Sequence, residues 1–201
     1  MRAVLGLIGC ALLIGGLYLF LSNGLSFWEQ YQVAEVDVEA ARKVDQNWDD
    51  RKLLPVIKGE DQQMNPLRGE QIGKLIIPRV GYNLPIVEGT SDADLKKGVG
   101  RYIGEGMVFP GEQGHVSLAG HNNTVFSELG ELENGDRITI KMNSKQFVYQ
   151  VHKTYIVDAD DTNVLVPTED ATLTLVTCYP FGLLSEAKER YIIEAKLIEA
   201  K

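Results

Sequence analysis

The hydrophobic pattern changes character twice along the chain. Ala3 through Leu21 is an uninterrupted apolar run, preceded by Arg2 and followed by no charge until Glu29. Crossing a bilayer takes roughly 20 helical residues, and glycines such as Gly6, Gly9, Gly15 and Gly16 are common in membrane helices. From Trp28 to Asp50 the composition turns to Glu, Asp, Gln and Ala, with Val33, Val36, Val44 and Trp48 only loosely at helical spacing. This stretch reads as a partly helical, solvated tether. An irregular segment holding Pro55, Gly59, Pro66 and Gly69 follows it.

Near Gln71 the period becomes two. Alternation predicts strands over 72–78, 82–87, 114–120, 137–142, 146–157, 172–177 and 190–197. Asn143-Ser144 divides two alternating runs as a tight hairpin turn should, and Asn134-Gly135-Asp136 marks a second turn after a short helical stretch over 126–132. Residues 92–98 predict one short helical turn with Ser91 or Asp92 as its cap. Seven or eight short strands without alternating long helices make the chain mostly β, an antiparallel-rich barrel or sandwich. No internal repeat is present. The organisation reads as a membrane anchor over 1–22, a stalk over 23–70 and one globular domain over 71–201.

Composition narrows the class. The 201 residues carry a formal net charge of −8, and no basic cluster exceeds Lys96-Lys97, so nucleic acid is not an expected partner. About 180 residues beyond the anchor suffice for one well-buried core. Leu21-Ser22-Asn23-Gly24 is a poor signal-peptide cleavage site, and the apolar core before Cys10 is too short for a lipoprotein signal. An uncleaved anchor is the favoured reading, with the N-terminus cytoplasmic and the remainder outside.

Cys178 is the only cysteine beyond the apolar run. It closes the alternating strand Thr172-Leu173-Thr174-Leu175-Val176-Thr177 and precedes the turn Tyr179-Pro180-Phe181-Gly182. A lone thiol there is either a small buried hydrophobe or a nucleophile. His121 sits where the apolar strand Leu118-Ala119-Gly120 enters the polar loop Asn122-Asn123-Thr124. His115 and His152 read as surface or cap residues. With six residues of strand, about 20 Å, separating His115 from His121, a shared zinc ion has no support. Arg190 shares a strand face with Ile192, a cation beside an aliphatic residue.

Leu118-Ala119-Gly120-His121, Thr172-Leu173-Thr174-Leu175-Val176-Thr177-Cys178 and Arg190-Tyr191-Ile192-Ile193, in that order behind an apolar N-terminus, resemble the sortase family over roughly residues 70–198. Sortases are cysteine transpeptidases on the outer face of Gram-positive cell membranes. The turn Tyr179-Pro180-Phe181 looks most like class D, with class A next. A class C enzyme usually carries a lid ahead of the barrel and a second membrane helix after it, and neither is evident here.

The resemblance implies a closed β-barrel of seven to eight strands with short helices behind a transmembrane helix, on the plasma membrane. It implies Cys178 as nucleophile, His121 as proton donor and acceptor, and Arg190 as a donor to the oxyanion or substrate backbone. The substrate would be a surface protein bearing a Leu-Pro-x-Thr-type sorting signal, and the acceptor a peptidoglycan precursor amine. The loop over 162–167, including Val164 and Leu165, would wall a peptide groove lined by Ala119, Val176, Thr177 and Ile192. No cofactor or metal is expected. Class A enzymes often bind calcium, but Glu105, Glu112, Glu169 and Asp170 do not match that placement well.

Two other classes compete. A papain-like cell-wall peptidase places its cysteine at a helix start with the histidine later in sequence, the reverse of the order here. A non-catalytic anchored scaffold or adhesin would leave the thiol of Cys178 unexplained. A small thiol-directed electrophile separates them at neutral pH: labelling of Cys178 is expected, and an inert, protected thiol would favour the scaffold.

Overall fold

The computed structural model describes residues 2–33, 35–182 and 187–201. In chain order the elements are α1 (Arg2–Val33), β1 (Glu35–Val36), α2 (Val38–Val44), β2 (Gln71–Ile77), β3 (Tyr82–Glu88), α3 (Asp92–Leu95), β4 (Val99–Arg101), β5 (His115–Gly120), β6 (Arg137–Met142), β7 (Lys145–Asp158), β8 (Thr172–Tyr179) and β9 (Glu189–Ala200). Two 3-10 turns, Leu129–Glu131 and Thr162–Leu165, precede β6 and β8. The strand order is β1-β3-β2-β6-β7-β9-β8-β5-β4, and a further β3–β4 pairing closes eight of the strands into a barrel with β1 added outside. The fold is the mostly β, closed barrel that the resemblance implies. Two pairings, β3–β4 and β5–β8, are parallel.

Alternation builds the barrel wall. Leu118, Leu175 and Ile193 are register neighbours across β5, β8 and β9, and each is completely buried in the core. Leu75, Leu84, Ile86, Ile138 and Ile140 fill the same interior from the other strands. Each such side chain contributes roughly 1.5–3 kcal/mol on burial, so the inward rows dominate the fold's stability. Asn143 and Ser144 both adopt positive φ, 51° and 61°, the left-handed turn that the β6–β7 hairpin requires.

Strands β2, β3 and β5 to β9 lie where alternation predicts, and two elements were not legible. β4 has three residues and β1 two, too short to show a period. The stretch over 126–132, predicted helical, holds a single 3-10 turn. Val125, Phe126, Leu129 and Leu132 are all buried in the core, at a spacing that one helical face would also present. Over 92–98 the helix stops at Leu95, behind a capping box in which Ser91 and Asp94 satisfy each other's backbone amides.

The segment read as a solvated tether lies against the barrel. Ala41 in α2 is buried, and the buried Asp45 pairs with Arg137 on β6 at 3.1 Å. Gln150 of β7 clasps the following stretch, accepting from Leu54 N at 2.9 Å and donating to Lys52 O at 2.9 Å. The guanidinium groups of Arg42 and Arg79 both lie over the Trp48 ring, 4.2 and 4.9 Å from its centre. Polar composition masked this docking, because the contacts are ion pairs and amide bonds rather than an apolar stripe. Among the described residues no helix is long and apolar enough to cross a membrane.

Asp136 anchors the strap through hydrogen bonds. It is nearly inaccessible and accepts from Arg51 Nε at 2.8 Å, Arg79 Nη2 at 2.8 Å and the Glu133 amide at 3.0 Å. Burial alone would raise its pKa, but the bonds from Arg79 and Arg51 outweigh it and hold the carboxyl below its ordinary value. Removing one partner of a fully buried pair costs about 3–5 kcal/mol. Arg51 and Arg79 keep 36% and 26% of their side-chain exposure, so we expect Asp136→Asn to cost about 2–3 kcal/mol at pH 7 in urea denaturation. The contribution is full above the unfolded carboxyl's pKa of about 4 and is lost as pH falls below it. The gap between wild type and variant must therefore narrow in acid; a gap independent of pH would contradict the charge-based role.

Candidate active site

The outer face of the sheet carries the chemistry. Parallel pairing sets Ala119 beside Val176 and Gly120 beside Thr177, and antiparallel pairing sets Val176 beside Ile192 and Cys178 beside Arg190. On β7, Tyr155 and Val157 extend these rows next to Ile192 and Arg190. Residues directly opposite share a face, with Cβ atoms about 5 Å apart. Ala119, Val176, Ile192 and Tyr155 therefore form one row, and Cys178, Arg190 and Val157 form the next, on the side away from Leu118, Leu175 and Ile193. His121 leaves β5 one residue after Gly120, as Cys178 follows Thr177, so the two residues stand at the same level of adjacent chain segments.

Three local features hold that level. Thr177 turns inward, is buried, and donates its hydroxyl to Gly120 O at 2.8 Å, a strut across the β5–β8 pair immediately before His121 and Cys178. Gly120 has no room for a side chain: a Cβ would lie 2.7 Å from Phe126 and 2.9 Å from Val125. Beyond Cys178, Asn122 Nδ2 donates to Pro180 O at 2.9 Å, tying the loop after His121 to the turn after the cysteine. Tyr179, Phe181 and Tyr191 pack as an aromatic cluster, with Phe181 edge-on to Tyr191 at 5.3 Å.

His121, Cys178 and Arg190 are each half-buried. The His121 pKa is lowered, chiefly by desolvation; the Asp92 charge opposes the shift and Lys96 adds to it. Arg190 Nη1 donates to Ala187 O at 3.1 Å and Glu189 O at 2.9 Å, which sets the plane of its guanidinium. Among the described residues Nε and Nη2 of Arg190 have no hydrogen-bond partner, nor does the thiol of Cys178. A thiol, an imidazole and a guanidinium at one end of neighbouring strands are the group types that could serve acyl transfer as nucleophile, proton carrier and oxyanion donor.

Topology brings a loop across this face. β7 and β8 both run antiparallel to β9 and so are parallel to each other. β7 ends level with Glu189, at the reactive end, whereas β8 begins at the far end with Thr172. The connection must return the length of β8, about 23 Å, outside the barrel. It carries Val164 and Leu165, both half-buried. Ile192 is completely buried yet lies outside the core cluster, as expected of a residue on the outer face beneath a covering segment.

The structure brings together His121, Cys178, Arg190, Ala119, Val176 and Ile192. Thr177 is different: its side chain faces inward, and its position serves β5–β8 geometry rather than presenting a group to the outer face. His115, read as a surface or cap residue, is 3% exposed and bonded through both ring nitrogens. His152 is half-buried, with Nε2 enclosed and, among the described residues, without a partner. Asn122 and Tyr155 were missed; alternation along β7 could have flagged Tyr155, but nothing local marks Asn122. Glu112 is engaged by the amides of Gln62 and Phe109, each at 2.7 Å, and Asp170 lies 3.6 Å from Lys196. Among the described residues no group of His, Cys, Asp and Glu could hold a metal ion.

A family model, the sortase domain, matches residues 75–198. The chain is 44% identical over 134 residues to Sortase D of Bacillus subtilis (strain 168), spanning 66% of this chain and 67% of that protein. Among solved structures, the catalytic domain of Bacillus anthracis SrtD aligns with a TM-score of 0.59 at 39% identity, covering 70% of this chain and 96% of that one. The Clostridium perfringens Sortase D5 transpeptidase aligns with a TM-score of 0.60 at 32% identity, covering 67% and 83%. With this barrel, a cysteine near the end of β8 and a histidine one step beyond the paired strand, the chain belongs to the sortase family of cysteine transpeptidases.

Proposed function

We propose that the protein is anchored in the plasma membrane by its apolar N-terminal segment, cleaves a Leu-Pro-x-Thr-type sorting signal after threonine, and transfers the acyl group to a peptidoglycan precursor amine. The observation that carries this reading is the pairing of Cys178 with Arg190 beside His121, next to the apolar row Ala119, Val176 and Ile192. A short extended peptide with an apolar residue ahead of its scissile bond fits that succession. The anchor rests on the sequence, where Ala3 to Leu21 holds no charge. In α1, Leu12, Leu13, Ile14, Leu17 and Phe20 are all more than half exposed, an apolar surface that lipid would cover. A single pass with the N-terminus inside sets the barrel on the outer face, where the sorting signals of surface proteins and the wall precursor both arrive.

The steps follow from the groups. The Cys178 thiolate attacks the threonine carbonyl carbon, and the carbonyl electrons move to oxygen. Arg190, its plane set through Nη1, directs donors at that oxyanion. The C–N bond breaks as His121 gives a proton to the departing amine, leaving a thioester on Cys178. The acceptor amine then attacks the thioester, His121 takes its proton, and the thiolate leaves. Transfer prevails over hydrolysis when the amine reaches the thioester faster than water.

The test is incubation of the full-length protein in detergent with a small library of Leu-Pro-x-Thr-x peptides and a soluble amine. New amide formation is expected from wild type and none from Cys178→Ala; transfer by that variant would overturn the nucleophile assignment. His121→Ala should be nearly as severe, and His152→Ala should behave as wild type. Arg190→Lys keeps a charge but loses the planar fork. One aimed oxyanion donor is worth about 3–4 kcal/mol, so turnover should fall at least about a hundredfold with little change in thermal stability. Near-wild-type turnover would reduce Arg190 to a general electrostatic role. By NMR, the His121 imidazole should titrate below the ordinary histidine value. Asp92→Asn should lower that midpoint further and Lys96→Met should raise it, and an unmoved midpoint in both would contradict the charge environment described above.

A further inference from the structure

His115 stands at the start of β5, on the outer face and at the end remote from Cys178. Its Nδ1 lies 2.6 Å from Val166 O, and its Nε2 lies 2.7 Å from Thr174 Oγ1. A carbonyl oxygen only accepts, so Nδ1 carries the hydrogen and donates to Val166. In the neutral ring Nε2 then accepts from the Thr174 hydroxyl, which fixes the ring's orientation. Burial favours that neutral form, since desolvation lowers the His115 pKa. Both polar atoms are satisfied, so the histidine costs the fold nothing as an unpaired buried group. One of its two bonds stays within the barrel wall, at Thr174, and the other reaches out to the loop that returns over the outer face.

The loop's other ties cluster at one end. Gln113 Nε2 donates to Glu169 O, Lys196 faces Asp170, and Thr168 and Thr172 donate their hydroxyls to Asp170 O at 2.9 and 3.0 Å. At the other end Asp161 accepts from the amide and side chain of Asn163, both within the loop. Among the described residues, the bond from His115 is the only side-chain hydrogen bond from the barrel to the stretch 162–166. That stretch carries Val164 and Leu165 back across the sheet past Thr174, toward the level of Val176 and Ile192.

We propose that His115 is a positioning residue for substrate recognition: by donating Nδ1–H to Val166 O, it pins the segment bearing Val164 and Leu165 over the outer face and fixes the wall of the peptide groove. This rests on the groove reading given above. His115 touches neither the reacting atoms nor the thiol, so its loss acts on binding and not on chemistry. His115→Ala frees Val166 and lets the wall move. His115→Asn keeps an amide donor close to the place of Nδ1 and retains the tether, whereas the longer His115→Gln carries its amide toward Thr174 and loses it.

The experiment uses the full-length protein in detergent and reads three quantities for each variant: KM and kcat with a Leu-Pro-x-Thr peptide, alkylation of Cys178 by iodoacetamide, and hydrogen exchange over residues 160–169. In His115→Ala we expect KM to rise about tenfold, the scale of one net hydrogen bond, with kcat and alkylation within about twofold of wild type. Exchange in the loop should quicken by a similar factor while amides of β8 and β9 stay protected. His115→Asn should restore KM and loop protection, and His115→Gln should not. Unchanged KM and loop exchange in His115→Ala would overturn the proposal. So would a loss carried by kcat or by slower alkylation, or failure of the asparagine variant to rescue. If His115→Ala does not fold, the contrast between asparagine and glutamine decides alone. If wild type turns over no such peptide, the substrate reading fails, and loop exchange still decides whether His115 holds the loop.

Discussion

The parallel pairing of β5 with β8 is the constraint on which the site depends. Cys178 lies 57 residues after His121, and nothing local in either segment makes them meet. Register does so: Gly120 pairs with Thr177, and the hydroxyl of Thr177 closes on Gly120 O at 2.8 Å. Each chain then takes one further step, in the same direction because the strands are parallel. An antiparallel pair would send the two chains apart at that point. Arg190 joins through the antiparallel partner β9, opposite Cys178. The barrel core fixes this register, because slipping either strand by one residue would turn Leu118 or Leu175 out of the interior.

The same topology explains the covering of the outer face. A strand parallel to β7 can follow it only after a return crossing, so the β7–β8 connection must run outside the barrel over β9. One structural necessity thus places a segment where a peptide groove needs a wall. What topology leaves open is how firmly the segment is held. Polar side chains at the remote end of the face, His115, Thr174, Lys196 and Thr172, supply that hold without entering the reactive row.

The barrel was legible because period-two alternation is a property of single strands, and β2, β3 and β5 to β9 are long enough to display it. The short β1 and β4 were not. Cys178, His121 and Arg190 could be picked out because each breaks its own strand's pattern: a thiol closing a threonine run, a histidine at a strand's exit, a cation beside isoleucine. His115 could not be placed from sequence, because it finds its partners in Val166 and Thr174, 51 and 59 residues away. Thr177 could have been: alternation puts it on the inward face of Leu173 and Leu175, opposite Val176 and Cys178. The docked strap was missed for a related reason. Asp45, Trp48 and Arg51 look like solvated surface until Arg137, Arg79 and Asp136 are brought to them by the fold.

The central claim is that the thiol of Cys178 takes the acyl group of the peptide ahead of its scissile bond. Intact-mass and peptide-level mass spectrometry of the full-length protein, quenched in acid during turnover of a Leu-Pro-x-Thr-x peptide without added amine, tests it most directly. The expected result is a mass increase equal to the peptide through threonine less one water, located on Cys178 and removed by hydroxylamine. Turnover without such an adduct, or an adduct carried by another residue, would contradict it.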